Sequence, residues 1–202
     1  MEGEGHDQRS VWERFYQEQG RPWRGIGKLG DLEVKAGNVA LDLGCGNGKT
    51  ARALIQKGAI VTGIDFSPSA IESCIRQFGD KGRFIECRCE ALPFEDNMFD
   101  IVTAVHVLEH LNADQLERAV EEMFRVIRVG GMLFVRMFAV GDMRSNGDSM
   151  SERGNGIVYR YRDTGEIIAI FERFKCISIE TIDESTRFGA VRIRNECIFE
   201  KT

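Results

Sequence analysis

The stretch Val39-Ala40-Leu41-Asp42-Leu43-Gly44-Cys45-Gly46-Asn47-Gly48 decides the fold. Its apolar run up to Leu43 has the composition of a strand covered on both faces, and beyond Lys49 the residues Thr50, Ala51, Leu54 and Ile55 recur at helical spacing. A buried strand therefore breaks, through three glycines, into a helix. Gly44, Gly46 and Gly48 can take backbone angles closed to other residues and, lacking side chains, let a ligand lie directly on the main chain. Nicotinamide and flavin dinucleotide sites use a similar G-x-G-x-x-G turn, but here the third glycine comes one residue sooner.

Two acids refine this reading. Asp42 stands just before the turn, where a negative charge opposes a pyrophosphate and suits a ligand carrying an ammonium and a sulfonium, which points to S-adenosylmethionine. The next strand, Ile60-Val61-Thr62-Gly63-Ile64-Asp65, ends on an acid that can accept both hydroxyl protons of a ribose. Asp65 argues for a nucleoside, and Asp42 for which one.

On these residues the chain resembles the class I S-adenosylmethionine-dependent methyltransferases, specifically those with a methyltransferase 11 type domain. The matching pieces are LDLGCGNG at Leu41 to Gly48, GIDFS at Gly63 to Ser67, ALPFEDNMFDIV at Ala91 to Val102, VLEHL at Val107 to Leu111 and RVIRVGGMLFV at Arg125 to Val135. They come in the family's order and spacing over residues 38 to 138. The resemblance implies S-adenosyl-L-methionine as cofactor and an α/β, doubly wound, Rossmann-like sheet of seven strands, mostly parallel with the last antiparallel.

The resemblance also implies cofactor contacts. These are Asp42, Gly44, Cys45, Gly46 and Asn47 of the first turn, Asp65, with Phe66 against the adenine, and the backbone at Val105 and His106 near the methyl group. At the end of the third strand the family usually carries an acid or amide and then a small residue; here Arg88 and Cys89 stand there. An arginine has no acceptor for the adenine amino group, which leaves that contact to Glu90 or to backbone and apolar packing. Residues before the first strand often fold over the site in relatives. The chain is thus expected to form a single domain: 1–37 as a lid segment, 38–138 as the cofactor-binding core, and 139–202 as a substrate loop and C-terminal strand pair. Arg24 in the lid is the expected partner of the methionine carboxylate.

Composition sets the outer bounds. A chain of 202 residues, 43% hydrophobic and 29% charged, suits one soluble domain. The net charge of −5 argues against a broad basic surface for duplex nucleic acid and leaves a local basic patch open. The longest apolar runs are strand-length, and the N-terminus, MEGEGHDQRS, is polar and acidic where a signal peptide is basic and then hydrophobic; a cytoplasmic protein without membrane contact is expected. The six cysteines form no C-x-x-C pairs, and Cys87 and Cys89 are one residue apart on an expected strand, so free thiols and no metal site are expected.

Along the chain, Val11, Trp12, Phe15 and Tyr16 predict a short helix with Ser10 as its N-cap, followed by a turn holding Arg21 and Arg24 around Trp23. Strands are expected at 39–44, 60–65, 83–88, 100–105 and 132–138, with helices at 49–57, 68–78 and 113–128. Pro68 fits a first helical turn, Asn112 caps the long helix and Gly130-Gly131 is expected to stop it. Leu92-Pro93-Phe94 is expected to close over the sheet with its aromatic packed inward. The alternation specifies a parallel sheet with helices on both faces and ligands at the strands' carboxyl ends. Residues 141–155 form a long Gly-, Ser-, Asp- and Met-rich loop, where specificity is expected to lie. An alternating segment at 157–162, a helix from Thr164 and two strands at about 176–182 and 190–200 complete the chain.

Methyl transfer from a sulfonium is an in-line displacement, which asks the protein to align two reactants, exclude water and sometimes remove a proton. His106 is the candidate catalytic group, because imidazole titrates near neutral pH, whereas His110 reads as a packing or hydrogen-bonding residue. Arg136 interrupts an apolar strand, and Arg144, Arg153, Arg160, Arg162, Arg187, Arg192 and Arg194 fall in the region expected to border the acceptor. With Tyr159, Tyr161 and Trp23 they point to an anionic acceptor, since guanidinium pairs with carboxylate or phosphate in two-point contacts. The substrate-side candidates are Trp12, Tyr16, Trp23, Arg136, Tyr159 and Arg160. The asparagine-proline-proline-tyrosine motif of amide and exocyclic-nitrogen methyltransferases is absent after the fourth strand. Three functions follow: a methyltransferase acting on a small, anionic molecule; an RNA methyltransferase modifying a wobble-type uridine side chain with a small partner protein; or a cofactor-binding protein without catalysis.

Overall fold

The computed structural model describes residues 8–20, 22–145, 147–186 and 189–202. Helix α1 (Gln8–Gln19) precedes an alternating core of β1 (Val39–Leu43), α2 (Lys49–Gln56), β2 (Ile60–Asp65), α3 (Pro68–Phe78) and β3 (Gly82–Glu86). Then come β4 (Phe99–Val105), a single 3-10 turn (Leu108–His110), α4 (Ala113–Val126) and β5 (Ile127–Phe138). A short hairpin, β6 (Met150–Glu152) and β7 (Val158–Arg160), leads to α5 (Thr164–Ile170), β8 (Lys175–Ser185) and β9 (Val191–Glu200). The main sheet has seven strands in the order β3-β2-β1-β4-β5-β9-β8. The first five run parallel, while β9 pairs antiparallel with both β5 and β8, as expected from the sequence.

Side chains alternate across this sheet with period two, and the core divides accordingly. Leu41, Val102 and Leu133 pack on one face with Met123 and Val126 of α4 and Phe171 after α5. Their neighbours Ala40, Ile101 and Phe134 pack on the other with Leu54 of α2 and Ile71 of α3. Both faces are filled, so the central strands read as continuous apolar runs. Each fully buried leucine on them stabilises the fold by roughly 1.5–3 kcal/mol. The strand order reverses between β1 and β4, and the crevice at their carboxyl ends is where this kind of sheet receives ligands.

Local capping agrees with the sequence at two helices. Ser67 accepts the Ala70 N–H at 3.1 Å with Pro68 in the first turn of α3, and Asn112 with Gln115 forms a reciprocal capping box on α4. Phe94 packs edge-on against Phe99, with ring centroids 5.1 Å apart, and Arg125 holds the surrounding loop through the carbonyls of Leu92 and Phe94.

Three expectations are corrected. Ser10 lies inside α1, which begins by Gln8, so it is not the cap. Gly130-Gly131 does not stop α4: the helix ends at Val126 and β5 starts at once, with the glycines inside that strand where its register against β4 shifts. At the helix end the buried Lys201 ammonium donates to the carbonyls of Phe124 at 2.6 Å and Ile127 at 2.7 Å. The third strand stops at Glu86, so Cys87 and Cys89 lie in the loop beyond it. Among the described residues no helix is long and apolar enough to cross a membrane, and no group of three or more His, Cys, Asp or Glu is arranged to hold a metal.

Candidate active site

A cavity of about 1120 Å³ opens at the carboxyl ends of β1, β2 and β4, above the usual range for a small ligand alone. Its floor is the glycine turn. Gly44 and Gly46 hold positive φ of 62° and 52°, which only glycine adopts without strain. Nor is there room for a side chain: a Cβ on Gly44 would meet Val107 Cβ at 2.7 Å, and one on Gly46 the Tyr16 hydroxyl at 2.5 Å. Cys45, Asn47, Phe66 and Cys89 also line the cavity.

Asp65 ends β2 in the cavity wall. Its Oδ2 accepts the Gly46 N–H and its Oδ1 the Ser67 N–H, both at 2.9 Å, which fixes the carboxylate while leaving each oxygen a lone pair. Burial pushes this carboxyl up to about 6, against the pull of those two bonds. Beyond β3, Glu90 lines the cavity with its Oε1 3.1 Å from the Arg88 guanidinium.

Asp42 is a correction. It does not line the cavity. Its carboxylate lies behind the glycine turn, accepting the Thr103 hydroxyl at 2.8 Å, and burial pushes it up to about 7 although Thr103 and the Ala51 N–H of α2 draw it down. Its place before the turn suggests a carboxylate facing a ligand, but the side chain points behind the turn instead of into the cavity wall.

Segment 22–27 lies along the turn, with the Asn47 amide donating to the Trp23 carbonyl at 2.6 Å and the Gly27 N–H to the Lys49 carbonyl at 2.9 Å. Arg24, however, is exposed and outside the cavity wall. Lys49, at the start of α2, also lines the cavity, within electrostatic reach of Arg136 and Arg194; it was missed because it reads as an ordinary helix-surface lysine. Burial, together with the charges of Arg136 and Arg194, holds the Lys49 ammonium below its ordinary value. Arg136 is buried, 2.6 Å from Glu196, and Arg194 pairs with Glu184.

The opposite wall is aromatic. Trp12 and Tyr16 of α1 are buried against Phe15 and Trp23, with centroids 5.4 to 6.0 Å apart. Trp12 also meets the His110 ring at 4.9 Å, and His110 meets Tyr159 at 4.9 Å. His110 Nδ1 lies 2.7 Å from the Val158 carbonyl, and burial holds the ring below the usual imidazole value, as befits a packing residue. His106 follows Val105 at the end of β4; its ring stacks on Phe138 at 4.3 Å and its Nδ1 lies 2.9 Å from Glu109 Oε1.

Among the described residues the cavity wall carries eight lysines and arginines and three acids, Asp65, Glu90 and Glu152, while Glu86, Glu196, Asp142 and Glu184 outside the lining pair with Arg9, Arg136, Arg144 and Arg194. Arg136, Arg144, Arg153, Arg160 and Arg194 are among the eight; Arg162 and Arg192 are not, and Arg187 lies outside the described residues. Tyr161 is also a correction: it is 2% exposed, bonded to the Ser151 hydroxyl at 2.8 Å, and belongs to the core.

Residues 41–135 match a family model described as a methyltransferase domain. That segment, a little under half of the chain, resembles a methyltransferase domain, and the chain has the fold of S-adenosylmethionine-dependent methyltransferases. Its sequence is similar to a ubiquinone/menaquinone biosynthesis C-methyltransferase, UbiE, of Xylella fastidiosa: 36% identical over 138 residues, covering 64% of this chain and 49% of that one. This chain thus spans about half the length of that relative. Its fold is similar to a putative methyltransferase solved in complex with the Haloferax volcanii Trm112 methyltransferase activator, with a TM-score of 0.78, 18% identity, and 98% and 99% of the two chains covered. It is also similar to a Burkholderia thailandensis 1,6-didemethyltoxoflavin-N1-methyltransferase with bound S-adenosylhomocysteine, with a TM-score of 0.67, 17% identity, and 96% and 77% covered.

The residues present fit the family's cofactor. A side-chain-free turn adjoins a fixed carboxylate with spare lone pairs, a half-buried aromatic at Phe66 and a small buried residue at Cys89.

Proposed function

We propose that this protein methylates a small, anionic molecule at the expense of S-adenosylmethionine. The observation that carries the acceptor class is that Lys49, Arg153 and Arg160 line the cavity and form no ion pair among the described residues, whereas Arg88, Arg136, Arg144 and Arg194 are paired with Glu90, Glu196, Asp142 and Glu184. Such a wall concentrates anions, and arginine pairs with carboxylate or phosphate at two points.

In this reading the bound cofactor supplies an activated methyl group, and the chain's residues bind, orient and exclude water. Asp65 receives the ribose hydroxyls; Gly44, Cys45, Gly46 and Asn47 offer backbone to the methionine portion; Phe66, Cys89 and Glu90 surround the adenine, with Arg88 neutralising Glu90. Lys49 replaces Arg24 as the cation nearest the turn, and Val105 and His106 adjoin the transfer point. Trp12, Tyr16 and Trp23 cover the cavity from the lid, while Arg136, Tyr159 and Arg160 face the acceptor. Alignment and exclusion of water are the main sources of rate in an in-line displacement.

The test is transfer of labelled methyl from S-adenosylmethionine into fractionated cell extract. Label in acidic small molecules is expected. Label confined to RNA, or to neutral lipids, would overturn the acceptor class, and binding of the cofactor with no transfer into any fraction would leave only a cofactor-binding protein.

A further inference from the structure

We infer that Glu109 is a positioning residue that holds His106 as a general base, so that the acceptor is a group that loses a proton on methylation, a hydroxyl above all. This rests on the methyl-transfer reading and specifies its chemistry.

Glu109 lies in the 3-10 turn after β4 and is fully buried. An isolated buried carboxylate is costly, and here Oε2 has no hydrogen-bond partner among the described residues. Among the described residues its one side-chain hydrogen bond is the one that Oε1 accepts from His106 Nδ1, at 2.9 Å. The i,i+3 spacing of the two residues suits this turn.

The histidine is held from three sides. Its backbone takes φ 56°, a left-handed conformation uncommon for residues other than glycine, and such strain concentrates at functional sites. Its N–H donates to the Arg136 carbonyl at 2.9 Å. Its ring stacks on Phe138 with planes 23° apart. With Nδ1–H donating to the carboxylate, Nε2 carries the lone pair, on a ring that lines the cavity. Glu109 stays ionised: burial raises its carboxyl, but the His106 bond and the charges of His106 and His110 outweigh that and hold it low.

The other groups nearby do not compete for this role. His110, on the same turn, is engaged by Val158. Arg144 lies 4.3 Å over the Phe138 ring and Tyr159 packs against that ring at 5.8 Å, while Arg162 is within electrostatic reach of Glu109.

A hydroxyl is protonated at neutral pH and needs such a base. Its proton passes to Nε2 as the oxygen bonds the methyl carbon. The sulfur–carbon bond of the sulfonium breaks, its electron pair stays on sulfur, and a neutral thioether leaves. The imidazolium so formed faces the Glu109 carboxylate.

The dyad can be tested without an acceptor. Nitrogen NMR of the full chain, which has three histidines, reads the tautomer and Nδ1 resonance of His106 in wild type and Glu109→Gln. The expected result is an Nδ1–H tautomer in wild type, with its Nδ1 resonance changed in the variant by loss of the carboxylate partner. An Nε2–H tautomer in wild type, or an Nδ1 resonance unchanged in the variant, would overturn the dyad. If Glu109→Gln does not fold, the wild-type tautomer alone decides. Titration of the same samples with S-adenosylhomocysteine separates the two readings: failure of wild type to bind it removes the methyl-transfer reading while the NMR still decides the dyad.

Discussion

The two halves of the cavity are built differently. The half around the glycine turn comes from consecutive strand ends: Gly44 to Asn47 follow β1, Asp65 and Phe66 follow β2, and each group is fixed by main-chain geometry or main-chain hydrogen bonds. The half around His106 is assembled from α1, the 3-10 turn, β5, the β6–β7 hairpin and β9, residues as far apart in sequence as Trp12 and Arg194. Its groups are held by side-chain as well as main-chain partners drawn from distant segments. The first half is specified by local sequence, and the second by topology, which leaves it freer to vary in charge and shape. We therefore expect cofactor binding and acceptor recognition to respond separately to substitution.

The largest effect should come from the residue that joins the halves. Gly44→Ala places a Cβ against Val107, next to His106, at a positive φ, so it should perturb both cofactor affinity and turnover and cost about 2–4 kcal/mol of stability. A thermal melt with a cofactor titration checks this, and a variant altered in only one property would show the halves less coupled there than the packing implies.

Next is the pH response of Asp42. Its folded value, about 7, is above the unfolded one, so its contribution to stability is fully present below about pH 3.8 and is lost as pH rises through 7. Asp65 acts in the same sense up to about 6. Between about pH 5 and pH 8 Asp42 alone should withdraw on the order of 2–3 kcal/mol, and Asp42→Asn should remove that slope. Denaturant melts at the two pH values measure it; an unchanged slope would mean that the buried carboxyl does not titrate in this range.

Asp65→Ala should weaken cofactor binding by about 1.5–3 kcal/mol, the range for a charge-assisted hydrogen bond, and leave the KM for the acceptor unaltered. The smallest effect is expected from Arg160→Ala. That side chain lies partly buried in the cavity wall with a 3.4 Å contact to the His110 carbonyl, and its loss should raise the KM of an acidic acceptor by about 1 kcal/mol with cofactor affinity unchanged.

The same contrast governs what could be read in the sequence. The parallel core and its crevice were legible because apolar runs, glycines and caps are local signals, and Pro68 and Asn112 stand where their chemistry requires. Asp42 was misread for a local reason that was available. Counting by twos along β1 puts it on the Ala40 side, towards α2, and its neighbours Thr103 and Ala51 lie there. The end of α4 was not legible, because the lysine that donates to the carbonyls there is at position 201. Nor were Lys49, Glu109 and the packing of Phe138 on His106, since each takes its meaning from a partner that only the fold brings near. Arg24 and Tyr161 mark the opposite failure: an arginine in a lid and a tyrosine in an alternating strand suggest a site, but side-chain direction decides, and theirs are outward and inward of the cavity.

The most direct measurement is calorimetric titration of wild type, Asp65→Ala and Arg160→Ala with S-adenosylhomocysteine, with NAD as control. Binding to wild type and Arg160→Ala with equal affinity, at least about tenfold weaker binding to Asp65→Ala, and no heat from NAD are expected. Equal losses in the two variants would contradict the separation of the halves, and binding of NAD in place of S-adenosylhomocysteine would contradict the function itself.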